Sequence, residues 1–343
     1  VLVVITVIGG SVVYVLQPSD LGDLLETHTL TSVETVAPAE LRVSWLGNTN
    51  VLVSDGVNHI LTDGWFSRPS LSELAKPVST DMAVVKASLA KAGITKLDAV
   101  IPVHSHYDHL MDAPAVVDLT GAVMMGSASS ANAARGWGLD ESRIISVDAR
   151  GSQQFGDFRV TILRSKHYVF VHSEGNADVG QEITEPLVQP VNVMDYHEGG
   201  AYAVLIEHPQ GNVLINGSAG YVEGLLAGVH ADLVFLGVAG VARQSPEYQQ
   251  QYWQEVVATT GARTVVPIHW DALTRPLGDE PQAPIRLLDR IMLKVDMKES
   301  LAWLMGKSEV FTPILPMWRA IPLRQLVPPR ETENVVNSVS NSR

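Results

Sequence analysis

Val103-His104-Ser105-His106-Tyr107-Asp108-His109 places four candidate metal ligands within six residues. An apolar run, Leu97-Asp98-Ala99-Val100-Ile101-Pro102-Val103, leads into it and reads as a core strand. A helical stretch follows from about Asp112 to Leu119. The cluster therefore sits where a strand ends and a helix begins, the place where open α/β sheets build their sites. His104 and His106 are two residues apart, so in extended backbone they point to the same side and can grip one cation together. Asp108 and His109 fall in the turn beyond, point elsewhere, and can hold a second cation close by. Imidazoles and a carboxylate suit zinc, manganese or iron better than calcium or magnesium.

Upstream, three short strand signals precede a loop. Leu41 to Leu46 is the first, and Asn50 to Ser54, ending at the turn Asp55-Gly56, is the second. His59 to Thr62, ending at Asp63-Gly64, is the third, and tight turns between the three predict an antiparallel meander. Asp81 to Ala92 has helical spacing and stops at Gly93. Downstream, strands are expected at 122–126, 143–147 and 153–163, the last two split by a turn at Gly151. A serine-capped helix is expected over 127–136. Further strands read at 201–207, 212–216, 231–238 and 264–271, with a helix from Pro246 to Thr260 and a last helix within 284–306. Strands alternating with helices predict a layered α/β domain. Two more histidines stand just past strand ends, in Ile162-Leu163-Arg164-Ser165-Lys166-His167 and in Pro267-Ile268-His269-Trp270-Asp271. Residues 168–198 have few strand signals and four Gly or Pro breaks, and read as a lid or cap facing the substrate. His197 lies near its end, as a substrate-binding or proton-donating group or as a surface histidine.

Composition bounds the function. The chain has 343 residues, 46% of them hydrophobic and 18% charged, with a formal net charge of −13. That charge argues against nucleic acid, whose phosphates need a basic face, and leaves a small-molecule substrate. There is no cysteine, so disulfides, cysteine-based zinc sites and lipoprotein acylation are excluded and any metal rests on His, Asp or Glu. The first sixteen residues are almost wholly apolar, and no charge appears before Asp20. Residues 1–17 therefore read as a signal peptide or an amino-terminal membrane anchor, with the protein exported or held at the inner membrane facing the periplasm. The expected organisation continues with a linker over 18–40, one domain over 41–327 and a disordered polar tail over 328–343. Oligomeric state is not readable from the chain.

The motifs resemble, in order, those of the metallo-β-lactamase superfamily, with its signature His-x-His-x-Asp-His. The layout is similar to the branch that holds N-acyl phosphatidylethanolamine phospholipase D and ascorbate-6-phosphate lactonase. This resemblance implies a four-layer αββα sandwich with two mixed sheets. It implies one or two zinc ions, with manganese or iron as substitutes. His104, His106 and His167 would hold the first, and Asp108, His109 and His269 the second. His172 is the rival to His167, and otherwise a pocket residue or bystander. Asp63 matches the carboxylate that supports the metal ligands from behind, or is a plain turn residue. Asp271 either orients His269 or caps the next turn. One motif departs from the pattern. In Gly217-Ser218-Ala219-Gly220, Ser218 stands where most binuclear members carry a bridging Asp. A serine hydroxyl cannot supply that charge, so the second metal binds weakly, a hydroxide alone bridges, or the site is mononuclear. The function implied is hydrolysis of an ester, lactone or phosphodiester, with Asp108 as catalytic residue. A non-catalytic metal- or ligand-binding module on the same fold is the alternative.

Overall fold

The computed structural model describes residues 13–169 and 178–327. The apolar start, the tail and His172 lie largely or wholly outside these.

β1 (Arg42–Trp45), β2 (Val51–Ser54) and β3 (His59–Thr62) form the antiparallel meander that the turn residues predict. Gly56, at φ +91°, makes the second turn in a conformation that L side chains avoid. β4 (Ala99–Ile101), β5 (Val123–Gly126) and β6 (Ile144–Ser146) then add in parallel beyond β3. β13 (Ile321–Pro322) closes the other edge of this seven-stranded sheet against β1. The second sheet contains β7 (Arg150–Phe155), β8 (Phe158–Arg164), β9 (Tyr202–Glu207), β10 (Val213–Asn216), β11 (Leu233–Gly237) and β12 (Thr264–Ile268). Its order is β12-β11-β10-β9-β8-β7, parallel across β10, β11 and β12 and antiparallel elsewhere.

Alternation along each strand sorts the core into layers. Ile60, Ala99 and Ile101 join Val160, Ile162 and Val204 in the core between the sheets. Their neighbours Leu61 and Val100 turn the other way, onto Val85, Leu89 and Val116 of the helices Met82–Lys91 and Ala113–Thr120. Beyond the second sheet, Tyr252 of the helix Pro246–Trp253 and Leu301 and Leu304 of the helix Met297–Met305 are buried, and the Tyr252 hydroxyl donates to Gly237 O. The result is the helix–sheet–sheet–helix sandwich with two mixed sheets. β3 and β4 end side by side, β8, β10 and β12 run in one direction and end at the same edge of the other sheet, and the loops leaving these ends carry the motifs.

Three expectations are corrected. The stretch 153–163 is not one strand after a turn at Gly151. It is a hairpin that turns at Gly156, φ +57°, and Gly151 lies inside β7. The segment 284–306 is not one helix. Lys294 and Asp296 adopt φ +52° and +49°, which breaks it into a wide helical turn, Leu287–Met292, and the helix Met297–Met305. The stretch taken as a linker is docked in its first half. Pro18 pairs with Ile285, Thr29 pairs with Ile314, and Leu21 is buried in the core. Ser19 donates through its hydroxyl to the fully buried Asp289. Among the described residues, no helix is long and apolar enough to cross a membrane.

Candidate metal centre

The sandwich brings the six sequence-predicted ligands into two triplets. The metal-ligating atoms of His104, His106 and His167 lie within 4.8 Å of one another, as do those of Asp108, His109 and His269. The triplets adjoin, since the rings of His104 and His109 are 3.8 Å apart between centroids. His104 and His106 leave β4 on an extended stretch. Asp108 and His109 belong to the one-turn helix Tyr107–Leu110, with His106 as its extended N-cap.

The outward nitrogens show what the inward ones are free to do. His109 Nδ1 donates to Asp63 Oδ2 at 2.7 Å, His106 Nε2 donates to Asp178 Oδ2 at 2.8 Å, and His167 Nδ1 donates to Tyr168 O at 2.6 Å. Each of these rings has one nitrogen tied to an oxygen acceptor. That fixes the tautomer and leaves a lone pair on the other nitrogen, the form in which imidazole ligates a cation. Metal–nitrogen bonds of about 2.0–2.1 Å in a tetrahedral array put neighbouring ligand atoms roughly 3.3 Å apart. In the second triplet, His109 Nε2 and His269 Nε2 are 3.2 Å apart, and Asp108 Oδ2 is 3.4 Å from each. In the first, His104 Nε2 and His106 Nδ1 are 3.0 Å apart. Donor chemistry and spacing thus both fit a divalent cation in each triplet.

Asp63 is fully buried, at φ +56°. Besides His109, its carboxylate accepts from Val103 N at 2.8 Å and from the Thr49 hydroxyl. It therefore ties the ligand cluster to the end of β3 and is no plain turn residue. Asp271 does not reach the His269 ring. Its carboxylate pairs with Arg68 at 2.9 Å, both side chains buried, and accepts from Asn48 N at 2.8 Å. It acts on His269 one step removed, because Asn48 O accepts from His269 N at 3.2 Å while Asn48 Nδ2 donates to Asp108 O at 2.7 Å. His269 itself is held at φ +59°, and strained backbone of this kind persists only where its surroundings hold it. The Ser218 hydroxyl accepts from Tyr168 N at 2.8 Å and so braces the residue after His167. His197 is joined to the centre through Asp178, its Nδ1 donating to Asp178 Oδ1 at 2.6 Å.

Asn48, Thr49, Arg68 and Asp178 escaped the sequence reading. The one signal for the first two is a polar Gly47-Asn48-Thr49-Asn50 between two apolar strands. Arg68 and Asp178 sit in loops with nothing local to mark them.

Burial and neighbours tune the two triplets in opposite directions. Burial, with the adjacent imidazoles, pulls His104 well below the ordinary histidine value and His167 down to about 3. Burial pushes the Asp108 carboxyl up, but His109 and His269 beside it outweigh this and hold it well below the carboxylate range. Burial likewise lowers His269, yet the hydrogen bond and charge of Asp108 outweigh it and raise the ring above 6.5. His269 thus binds its proton at pH values where His104 and His167 are already bare. Protons compete with a cation for His269 as pH falls through its raised value, while His104 and His167 offer no such competition there. We expect metal at the second triplet to be lost first on acidification. Elemental analysis after dialysis across pH 8 to 5 reads this out, and simultaneous loss of both equivalents would contradict it.

The centre forms the floor of a cavity of about 320 Å³, within the range of small-molecule sites. Its far wall is built from the segment that follows β12.

The model for the beta-lactamase superfamily domain matches residues 58–270, from β3 to the residue after His269. The chain belongs to this superfamily. Among curated relatives, the uncharacterized protein Rv0906 of Mycobacterium tuberculosis is 31% identical over 134 residues, 38% of this chain and 35% of that protein. A UPF0173 metal-dependent hydrolase of Myxococcus xanthus is 29% identical over 139 residues, 39% of this chain and 43% of that one. The matched stretch thus spans well under half the length of either relative. Among solved structures, Igni18, a metallo hydrolase from Ignicoccus hospitalis, is 14% identical with a TM-score of 0.46, over 82% of this chain and 97% of that one. The match ends just before Asp271, so the far wall of the cavity lies beyond the part shared with the superfamily model.

Proposed function

We propose that this superfamily member is a metal-dependent hydrolase that cleaves a carboxylic ester or lactone. The observation that supports hydrolysis is the pair of triplets, each with inward donor atoms at ligand spacing, at the floor of a cavity. His104, His106 and His167 would hold one cation, and Asp108, His109 and His269 a second, with zinc, manganese or iron as the metals that suit these donors. Such a cation polarises the substrate carbonyl and lowers the pKa of water from ~15.7 to about 7, supplying hydroxide near neutrality.

The chain's own residues do the rest. Asp108 stays ionised across the working pH range, so its carboxylate is an acceptor that would orient a water at the cavity floor. Asp63 and Asp178 hold His109 and His106 in ligating tautomers. Asn48 fixes the backbone of Asp108 and His269 relative to each other. Ser218, engaged by Tyr168 N, places no carboxylate between the two triplets.

Charge favours a carboxyl centre over a phosphodiester. The described residues lining the cavity include Asp108, Asp178, Asp271 and Asp289 and no Lys or Arg. With Asp271 paired to Arg68 and no Lys or Arg among the described lining residues, these walls offer a phosphodiester no side-chain cation beyond the metal, whereas a neutral ester or lactone needs none. Zinc-loaded protein should therefore hydrolyse p-nitrophenyl esters and γ-lactones in preference to bis-p-nitrophenyl phosphate. A clear preference for the phosphodiester would overturn the assignment. The apolar stretch before residue 17 is consistent with membrane anchoring on the outer side of the inner membrane, which we carry as part of the proposal.

A further inference from the structure

Resting on the hydrolase reading, we infer that the substrate carries an apolar acyl group, and that the wall built by 273–297 is its binding site. The floor of the cavity is polar, but Leu273, Pro284, Leu288, Leu293, Val295 and Met297 line the same space as the histidines. All six lie beyond residue 270, where the match to the superfamily model ends.

The wall is built rather than incidental. Lys294 and Asp296, both at positive φ, break the segment so that Leu288, Val295 and Met297 can line the same cavity. Asp289 is the one charged residue in this wall, and its carboxylate is already used. Oδ1 accepts from Met297 N at 2.8 Å, and Oδ2 accepts from the Ser19 hydroxyl. Ser19 N also donates to Pro284 O at 2.8 Å, so the docked amino-terminal arm buttresses the wall from behind. The centre is polar and the wall apolar within one continuous space. A ligand that satisfies both has a polar carbonyl group at one end and a hydrocarbon at the other. At about 30 Å³ for a small heavy-atom group, 320 Å³ holds roughly ten such groups, enough for an octanoyl chain with its carbonyl. A polar substrate such as a sugar lactone would leave its hydroxyls facing this wall unpaired.

Two experiments on the metal-loaded full chain separate this inference from the hydrolase reading. The first is turnover of p-nitrophenyl butyrate, hexanoate and octanoate. Each buried methylene should raise kcat/KM about three- to fourfold, or on the order of a hundredfold from butyryl to octanoyl. The second is calorimetric binding of butanoate, hexanoate and octanoate, which needs no turnover and should show the same trend with a negative heat-capacity change. Val295→Phe, which fills the cavity, and Leu293→Glu, at a half-exposed position that tolerates charge, should each collapse the octanoyl-to-butyryl ratio. Affinity that is flat with chain length overturns the acyl site, whatever is hydrolysed. Affinity that climbs without any ester or lactone turnover keeps the acyl site and overturns the hydrolase reading.

Discussion

His106→Ala is expected to lower kcat/KM by at least about a thousandfold, because supply of the nucleophile at neutral pH rests on a cation that acidifies water. The substitution removes one of three donors in the first triplet and leaves Asp178 with His197 as its remaining imidazole partner. It should also cost one metal equivalent per chain. The fold should survive, because the His106 side chain is 24% exposed and its loss opens no cavity in the core. An unfolding midpoint near that of the parent, together with lost turnover, separates a catalytic effect from a structural one. Turnover retained in this variant would remove the first triplet from the mechanism.

Asp63→Ala should behave differently, with loss of stability as the main result. Its carboxylate is completely buried and accepts from Val103 N, His109 Nδ1 and the Thr49 hydroxyl. Alanine strands Val103 N and leaves His109 Nδ1 and the Thr49 hydroxyl only each other, at 2.8 Å. A buried donor left without its acceptor costs about 1–3 kcal/mol, a large part of the stability of a typical domain when more than one is affected. Asp63→Asn is the informative companion. Asparagine tolerates the φ of +56° at this position and keeps an oxygen acceptor, so most of the stability should remain. The lost charge should still weaken metal binding, by roughly ten- to a hundredfold, as supporting carboxylates generally do when removed. Urea denaturation and metal titration of the two variants check both parts. Equal metal affinity in Asp63→Asn and the parent would reduce Asp63 to a structural residue.

The contrast between these two residues shows how far the chain could be read unfolded. His104, His106, Asp108 and His109 are close in space because they are close in sequence, on the end of one apolar strand. His167 and His269 are legible because each ends a strand, and strand ends in such a sheet converge. Asp63 announces itself in the same way at the end of β3. Asn48, Arg68 and Asp178 could not be found, because their roles exist only across long sequence separations. Asn48 meets Asp108 and His269, and Arg68 meets Asp271. No local period or propensity encodes such pairings. Elements followed the same logic. Strands bounded by Gly or Asp-Gly turns were readable. The hairpin at Gly156 and the break at Lys294 and Asp296 were not, because apolar spacing runs through both and only backbone conformation marks them. The apolar wall belongs to that second group, which is why the sequence pointed to a metal centre but not to the shape of the cavity above it.

Metal stoichiometry is the most direct test of the central claim, that two adjoining triplets each hold a divalent cation. Elemental analysis of protein purified without added metal, and again after saturation with zinc and desalting, reads it without reference to any substrate. The account predicts bound zinc, manganese or iron in the first sample and two equivalents per chain in the second, with one equivalent lost in His106→Ala. A chain that retains no metal even after zinc is supplied would contradict it and leave a binding module on a hydrolase fold.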